Sequence, residues 1–233
     1  MTAPLNLLCA GAAQGLVKAL QAQLTARTGA TLASSFGVVG AMKEALQAGA
    51  PCDLMIVTDA MVATLCDSGQ LRAASRAALG RVRTGLALRA ADAAPDAASP
   101  QALRMALLAA PAIYFPDPAR ATAGIHFADA MRQLGILEVL APRLRPVPNG
   151  ATAMRALAAS AEAGAIGCTQ ITEILYTSGI ALLGALPPQF ELATVYTAAV
   201  SATAAQPALA AQFIEMLAGE GSRALRQAGG FEF

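Results

Sequence analysis

Short apolar runs alternate along the chain with small-residue turns and amphipathic stretches, an order that predicts a layered α/β fold. Leu5 to Ala10 (LNLLCA) reads as a strand and Gly11 to Gly15 (GAAQG) as its exit turn. The next helix carries Leu16, Leu20 and Leu24 on one face and ends near Gly29. TLASSF is a second strand, and Gly37 to Gly40 (GVVG) turns into a helix through Met42, Ala45 and Leu46. DLMIVT, a continuous apolar run, is a buried strand, and Asp59 starts a helix through Met61, Val62 and Leu65. Strands that each exit through a turn into a helix pair in parallel, as β-α-β-α-β.

The pattern changes near Gly80. RVRTGLALRA is a longer strand, followed by the loop DAAPDAASP and a helix from Pro100 to Leu108 that Ser99 caps. The strand AAPAIYF then breaks at Pro116, Asp117 and Pro118, and a helix with Phe127, Met131 and Leu134 on one face runs to Gly135. VLAPRLRPVPNG reads as a connection, and a helix runs from Ala151 to about Ala163. AIGCTQITEIL is a strand turning into a short polar segment, and FELATVYTAAV is again a long strand. PALAAQFIEMLAG is an amphipathic helix, and SRALRQAGGFEF finishes the chain.

The two long strands are candidate crossovers. They predict an α/β architecture of two lobes, each a mixed sheet flanked by helices, joined by two hinge crossovers. Residues 1–82 with 190–233 form the first lobe, and residues 83–189 form the inserted second one. A cleft between two such lobes receives the carboxyl ends of strands from both, where open α/β sheets bind ligands.

Composition narrows the function. Hydrophobic residues make up 56% of the chain and aromatics only 4%, so alanine supplies much of the core and close layering is required. A net charge of +1 with scattered Lys and Arg gives no footprint for nucleic acid. No apolar run reaches the length of a membrane span. Cys9, Cys52, Cys66 and Cys168 show no CxxC spacing, and with a single histidine, His126, neither a metal site nor a metal cofactor is expected. Unpaired cysteines and an amino terminus without a basic or long apolar leader suggest a cytoplasmic protein, or a periplasmic one whose signal peptide has been trimmed.

Strand, small-residue turn and helix start leave backbone N–H groups unpaired, a ready anion site. In the second lobe this places Thr122, Ala123, Gly124 and Ile125 at such a turn, with His126 in the first helical turn beside it. His126 is a candidate acid, base or carboxylate donor, or else a structural helix residue. In the first lobe Gly11, Ala12 and Ala13 carry the same argument, and Val38, Val39 and Gly40 suit either a carbon skeleton or the core. Arg81 or Arg83 offers a bidentate fork to a carboxylate, against a solvated strand end. Asn149 and Tyr114 are polar candidates, and Glu173 is a base or a helix-capping carboxylate.

LLCAGAAQGL, SSFGVVGAMKEALQAGAPCDLMIV and DPARATAGIHFADAMRQLGI together resemble the substrate-binding proteins of molybdate ABC transporters over nearly the whole chain. That resemblance implies the type II periplasmic-binding fold, a small oxyanion ligand and a permease partner. The family holds its oxyanion with a serine after the first strand, where this chain has Ala12, and another after the second, where it has Val38 and Val39. Ala123 fits a family main-chain contact, Ala151 lies near another, and Gln170 stands at a family tyrosine whose strand exit faces the ligand. GVVG, GIHFA and TQITEI are also similar to an offshoot that includes aconitate isomerase, which implies proton transfer on an unsaturated di- or tricarboxylate without a cofactor. The expected function is therefore binding of a small carboxylate or oxyanion, with isomerisation by His126 and Glu173. The alternative is a solute receptor for a transporter or an anion sensor.

Overall fold

The computed structural model describes residues 3–233. In chain order its strands and helices are β1 (Leu5–Ala10), α1 (Gln14–Thr28), β2 (Leu32–Gly37), α2 (Val39–Gln47), β3 (Leu54–Thr58), α3 (Asp59–Asp67) and β4 (Ala77–Arg89). There follow α4 (Pro100–Ala109), β5 (Ile113–Pro116), α5 (Thr122–Gln133), α6 (Leu137–Leu140), β6 (Leu144–Val147) and α7 (Gly150–Ala159). The chain ends with β7 (Ile166–Gln170), α8 (Ile171–Tyr176), β8 (Ile180–Ala185), β9 (Ala193–Val200), α9 (Pro207–Ala218) and α10 (Arg223–Ala228). It divides into two compact units, one of Met1–Val82 and Thr194–Phe233, the other of Arg83–Ala193.

In the first unit β1 lies between β2 and β3 in parallel, and β9 runs antiparallel on β3. The apolar run of β3 is continuous because both of its faces are covered. Leu54 and Ile56 pack with Leu16, Leu20, Leu24, Phe213 and Leu217, whereas Met55 and Val57 pack with Met42, Val62 and Leu65. Alternation along the strand therefore feeds two cores. Gly29 ends α1 at φ 70°, in the left-handed region that glycine enters without a Cβ penalty.

In the second unit β5 lies between β6 and β7 in parallel, β4 runs antiparallel on β7, and β8 runs antiparallel on β4. One core joins Leu103, Leu107, Ile113, Met131, Ile166 and Cys168 to Phe115 and Phe127, whose rings meet edge to face at 5.7 Å. The other joins Ala153, Met154 and Leu157 to Ala87, Ala112 and Ile174. Ser99 caps α4 as expected, its side chain accepting from the Ala102 N–H at 3.1 Å.

Three stretches differ from the sequence reading. VLAPRLRPVPNG is more than a connection, because Leu144–Val147 pairs in parallel with Ile113–Pro116. That strand pairs β5 on one side only, and an edge position tolerates Pro146. The helix expected to reach Ala163 stops at Ala159, and SRALRQAGGFEF holds α10 instead of merely ending the chain.

Candidate functional site

The functional candidates of the first unit gather where the parallel strands end. Gly11–Ala13 forms one tight 3-10 turn between β1 and α1, with Ala12 and Ala13 buried and no side-chain cap on either helical segment. Val38 precedes α2 in an extended conformation, and α2 also begins without a side-chain cap, at Val39 and Gly40. First-turn N–H groups in such helices have no carbonyl partner within the helix, and they carry the positive end of its dipole. The neighbouring helix α3 differs, because its first turn contains an anion of its own. Asp59 pairs with Arg76 at 2.9 Å and accepts from Thr197 at 2.8 Å, contacts that hold its carboxyl below the usual range. Arg81 lies apart from these turns in its bonding. Its guanidinium meets Glu232 at 2.9 Å, and the two backbones exchange hydrogen bonds of 2.8 and 2.7 Å.

In the second unit the corresponding ends belong to β5, β6 and β7. After Pro116 the chain turns at Asp117, whose side chain accepts from the Ala119 N–H at 2.7 Å and whose carbonyl accepts from Ala121. Helix α5 then starts at Thr122 with no side-chain cap, so the N–H groups of Thr122, Ala123 and Gly124 lack intrahelical partners. A Cβ at Gly124 would collide with the carbonyl oxygens of Pro116 and Asp117. Only glycine lets the first helical turn lie this close to the strand exit. Ile125 is exposed, and His126 hydrogen-bonds the Phe190 carbonyl through Nε2 at 2.7 Å.

Helix α7 is finished differently. Asn149 accepts from the Thr152 N–H at 2.9 Å, an ordinary N-cap. Glu173 supplies the acceptor at this end: its carboxyl accepts from the Thr169 hydroxyl at 2.6 Å and faces the backbone N–H groups of Ala151 and Gln170. Reaching back to Gln170, the residue before α8, it also works as the acidic half of a capping box. Burial pushes its carboxyl up, against those hydrogen bonds. Gly150 packs directly on the Glu173 carboxylate and the Thr169 hydroxyl, where no side chain would fit. The Ala151 N–H, which lies near a main-chain contact on the family resemblance, thus faces Glu173 of the same chain.

Gln170 is the outlier of this unit. Its side chain is buried, yet neither Oε1 nor Nε2 has a hydrogen-bond partner, and the buried hydroxyls of Thr84 and Thr172 are likewise unpaired. Thr84 stands opposite Gln170 in the β4–β7 ladder, which puts the two side chains on one face of the sheet. Buried polar atoms without partners are rare in folded proteins and point to a ligand or water. Thr172 follows Gln170 in the segment that the sequence marks as a candidate, whereas Thr84 escaped the sequence reading because a single threonine in an apolar run looks like an ordinary strand residue.

Among the described residues no group of three His, Cys, Asp or Glu side chains is placed to hold a metal. Burial raises the thiol of Cys52 to about 11, and raises those of Cys9 and Cys168 further still, so all three are poor nucleophiles. Tyr114 is held by Glu162 at 3.1 Å. Among the described residues no helix is long and apolar enough to cross a membrane.

Comparison with known proteins fits this geometry. A family profile described as bacterial extracellular solute-binding protein matches residues 5–232. An aconitate isomerase from Pseudomonas sp. is 24% identical over 232 residues, covering 97% of this chain and 86% of that protein. Among solved structures, the periplasmic molybdate-binding protein of Azotobacter vinelandii superposes with a TM-score of 0.79 at 22% identity, over 98% of this chain and 99% of the other. The sulfate-binding protein of Mycobacterium tuberculosis does so with a TM-score of 0.75 at 16% identity, over 99% and 86%. The fold is that of the periplasmic binding proteins.

Proposed function

Because the chain belongs to the bacterial extracellular solute-binding protein family, we propose that it binds a small organic acid, with one carboxylate seated on the amino terminus of α5. One observation carries this reading: a helix start without a cap shares the strand-end face of its unit with Gln170, a buried side chain whose amide has no partner. A helix amino terminus favours an anion by about 0.3–1 kcal/mol, and each charge-assisted hydrogen bond to a backbone N–H adds about 1.5–3 kcal/mol. A tetrahedral inorganic oxyanion is the poorer fit. Ala12, Val38 and Val39 of the first unit stand where the resembled family has its oxyanion serines, and they bring no hydroxyl donor.

The family's extracellular description supports the periplasmic alternative over the cytoplasmic one, and with it an importer permease as partner. Calorimetric titration of di- and tricarboxylates beside molybdate and sulfate tests the reading. Saturable binding of a carboxylate with a Thr122→Pro loss is expected, since proline removes one first-turn N–H. Binding of molybdate alone refutes it.

A second reading adds chemistry to the same site. His126 is the fifth residue of α5, just past its first turn, and the relative that is an aconitate isomerase matches along almost the whole chain. In this reading His126 moves the allylic proton of an unsaturated acid, while α5 holds the charge that develops on the adjoining carboxylate. Glu173 is the less suited partner, since its carboxylate is already engaged by Thr169 and two backbone N–H groups. Deuterium incorporation from solvent into trans-aconitate is the deciding measurement.

A further inference from the structure

The amide of Gln170 presents two groups of opposite sense, an acceptor at Oε1 and a donor at Nε2, and both are buried without a partner. A fully ionised oxyanion or carboxylate brings acceptors only. It would satisfy Nε2 and leave Oε1 buried and bare, and an unsatisfied buried acceptor carries a penalty that binding must overcome. Thr84, the cross-strand neighbour on the same sheet face, adds a hydroxyl that donates and accepts, as does Thr172 two residues beyond Gln170. All three groups are neutral, so they give no Coulombic reason to hold a second charge. A ligand hydroxyl matches them: it donates to Oε1 while accepting from Nε2 or a threonine. We propose that Gln170 and Thr84, with Thr172, read a hydroxyl on the carbon skeleton of the ligand, which makes the preferred ligand a hydroxy acid.

The inference rests on the carboxylate-binding reading above and is independent of turnover. Sites built to hydrogen-bond a substrate hydroxyl reject the analogue that lacks it by up to roughly 10⁴-fold or more. The test is calorimetric titration of the whole chain with matched pairs, malate against succinate and citrate against tricarballylate. The hydroxylated member of at least one pair is expected to bind about tenfold tighter or better, and Gln170→Met and Thr84→Val are each expected to bring that ratio towards one. A ratio near one in both pairs, with the acids still binding, overturns the hydroxyl inference and leaves the carboxylate reading standing. So does a preference that survives both substitutions. Binding of molybdate with none of the acids overturns both readings together.

Discussion

His126 donates from Nε2 to the Phe190 carbonyl oxygen at 2.7 Å, a bond that assigns the proton of a neutral imidazole to Nε2 and leaves the lone pair on Nδ1. Phe190 closes a 3-10 turn at Pro188–Phe190, and two residues later the Leu192 carbonyl accepts from the Thr84 N–H at 2.9 Å. One short segment thus ties down both the histidine and a member of the unpaired polar set. If the isomerase reading holds, His126→Ala lowers solvent-deuterium exchange into trans-aconitate about 10²-fold or more, while affinity falls by less than about tenfold. Undiminished exchange in that variant removes His126 from proton transfer.

Gly124 ties the strand exit to the helix start, and its substitution is expected to harm both stability and binding. An added methyl collides with two backbone carbonyl oxygens, which cannot rotate away as a side chain would. Gly124→Ala is expected to cost about 1–3 kcal/mol in urea unfolding and to weaken carboxylate binding, because the first-turn N–H groups move with the backbone. A variant as stable as the wild type and with its full affinity contradicts this account of the turn.

Glu173 gives a pH signature of the opposite sign to most carboxylates. Burial raises its native pKa, so between the unfolded and native values the folded chain binds more protons than the unfolded one. Its contribution to stability is present below the ordinary carboxylate range, about pH 4, and is lost as pH rises through the raised native value. Replacement by glutamine keeps an oxygen acceptor without the charge. The variant's unfolding free energy is expected to fall less than that of the wild type over this range. Parallel curves for the two proteins count against a buried, proton-linked Glu173.

Much of this fold was legible because apolar runs and glycine turns act locally. LNLLCA and DLMIVT became β1 and β3, and GAAQG and GVVG became helix starts. LRPV was missed as a strand because its partner contacts, not its own composition, make it one: an arginine and a proline are acceptable where only one edge is paired. The turn and helix start at Thr122 were visible from their residues. The division of labour between α5 and α7 was not, because Glu173 reaches Ala151 only after two strand–helix junctions fold beside each other. The unpaired state of Gln170 and Thr84 is likewise a property of the packed sheet, decided by strand register.

Asp53 predicts the acid limb of the stability curve. Burial works to raise its carboxyl, but hydrogen bonds from the Asn6 and Gln206 N–H groups, the Asn6 side chain and Ala205 outweigh it and hold the group below its ordinary value. Those bonds, at 2.8 Å from Asn6 and 2.9 Å from Gln206, tie the start of β1 to the loop before α9. With the native value depressed, the stabilisation is complete above the unfolded carboxyl's range and is lost as pH falls through the native one. Asp53→Asn keeps the shape but turns an amide donor towards at least one N–H group and removes the charge from the rest. It is expected to lose about 2–3 kcal/mol at neutral pH, by chemical denaturation, with the deficit shrinking towards acid because the wild type then loses the same interactions. A deficit that stays constant down to the acid transition would mean that packing, and not the charge-assisted bonds, accounts for the effect of the substitution.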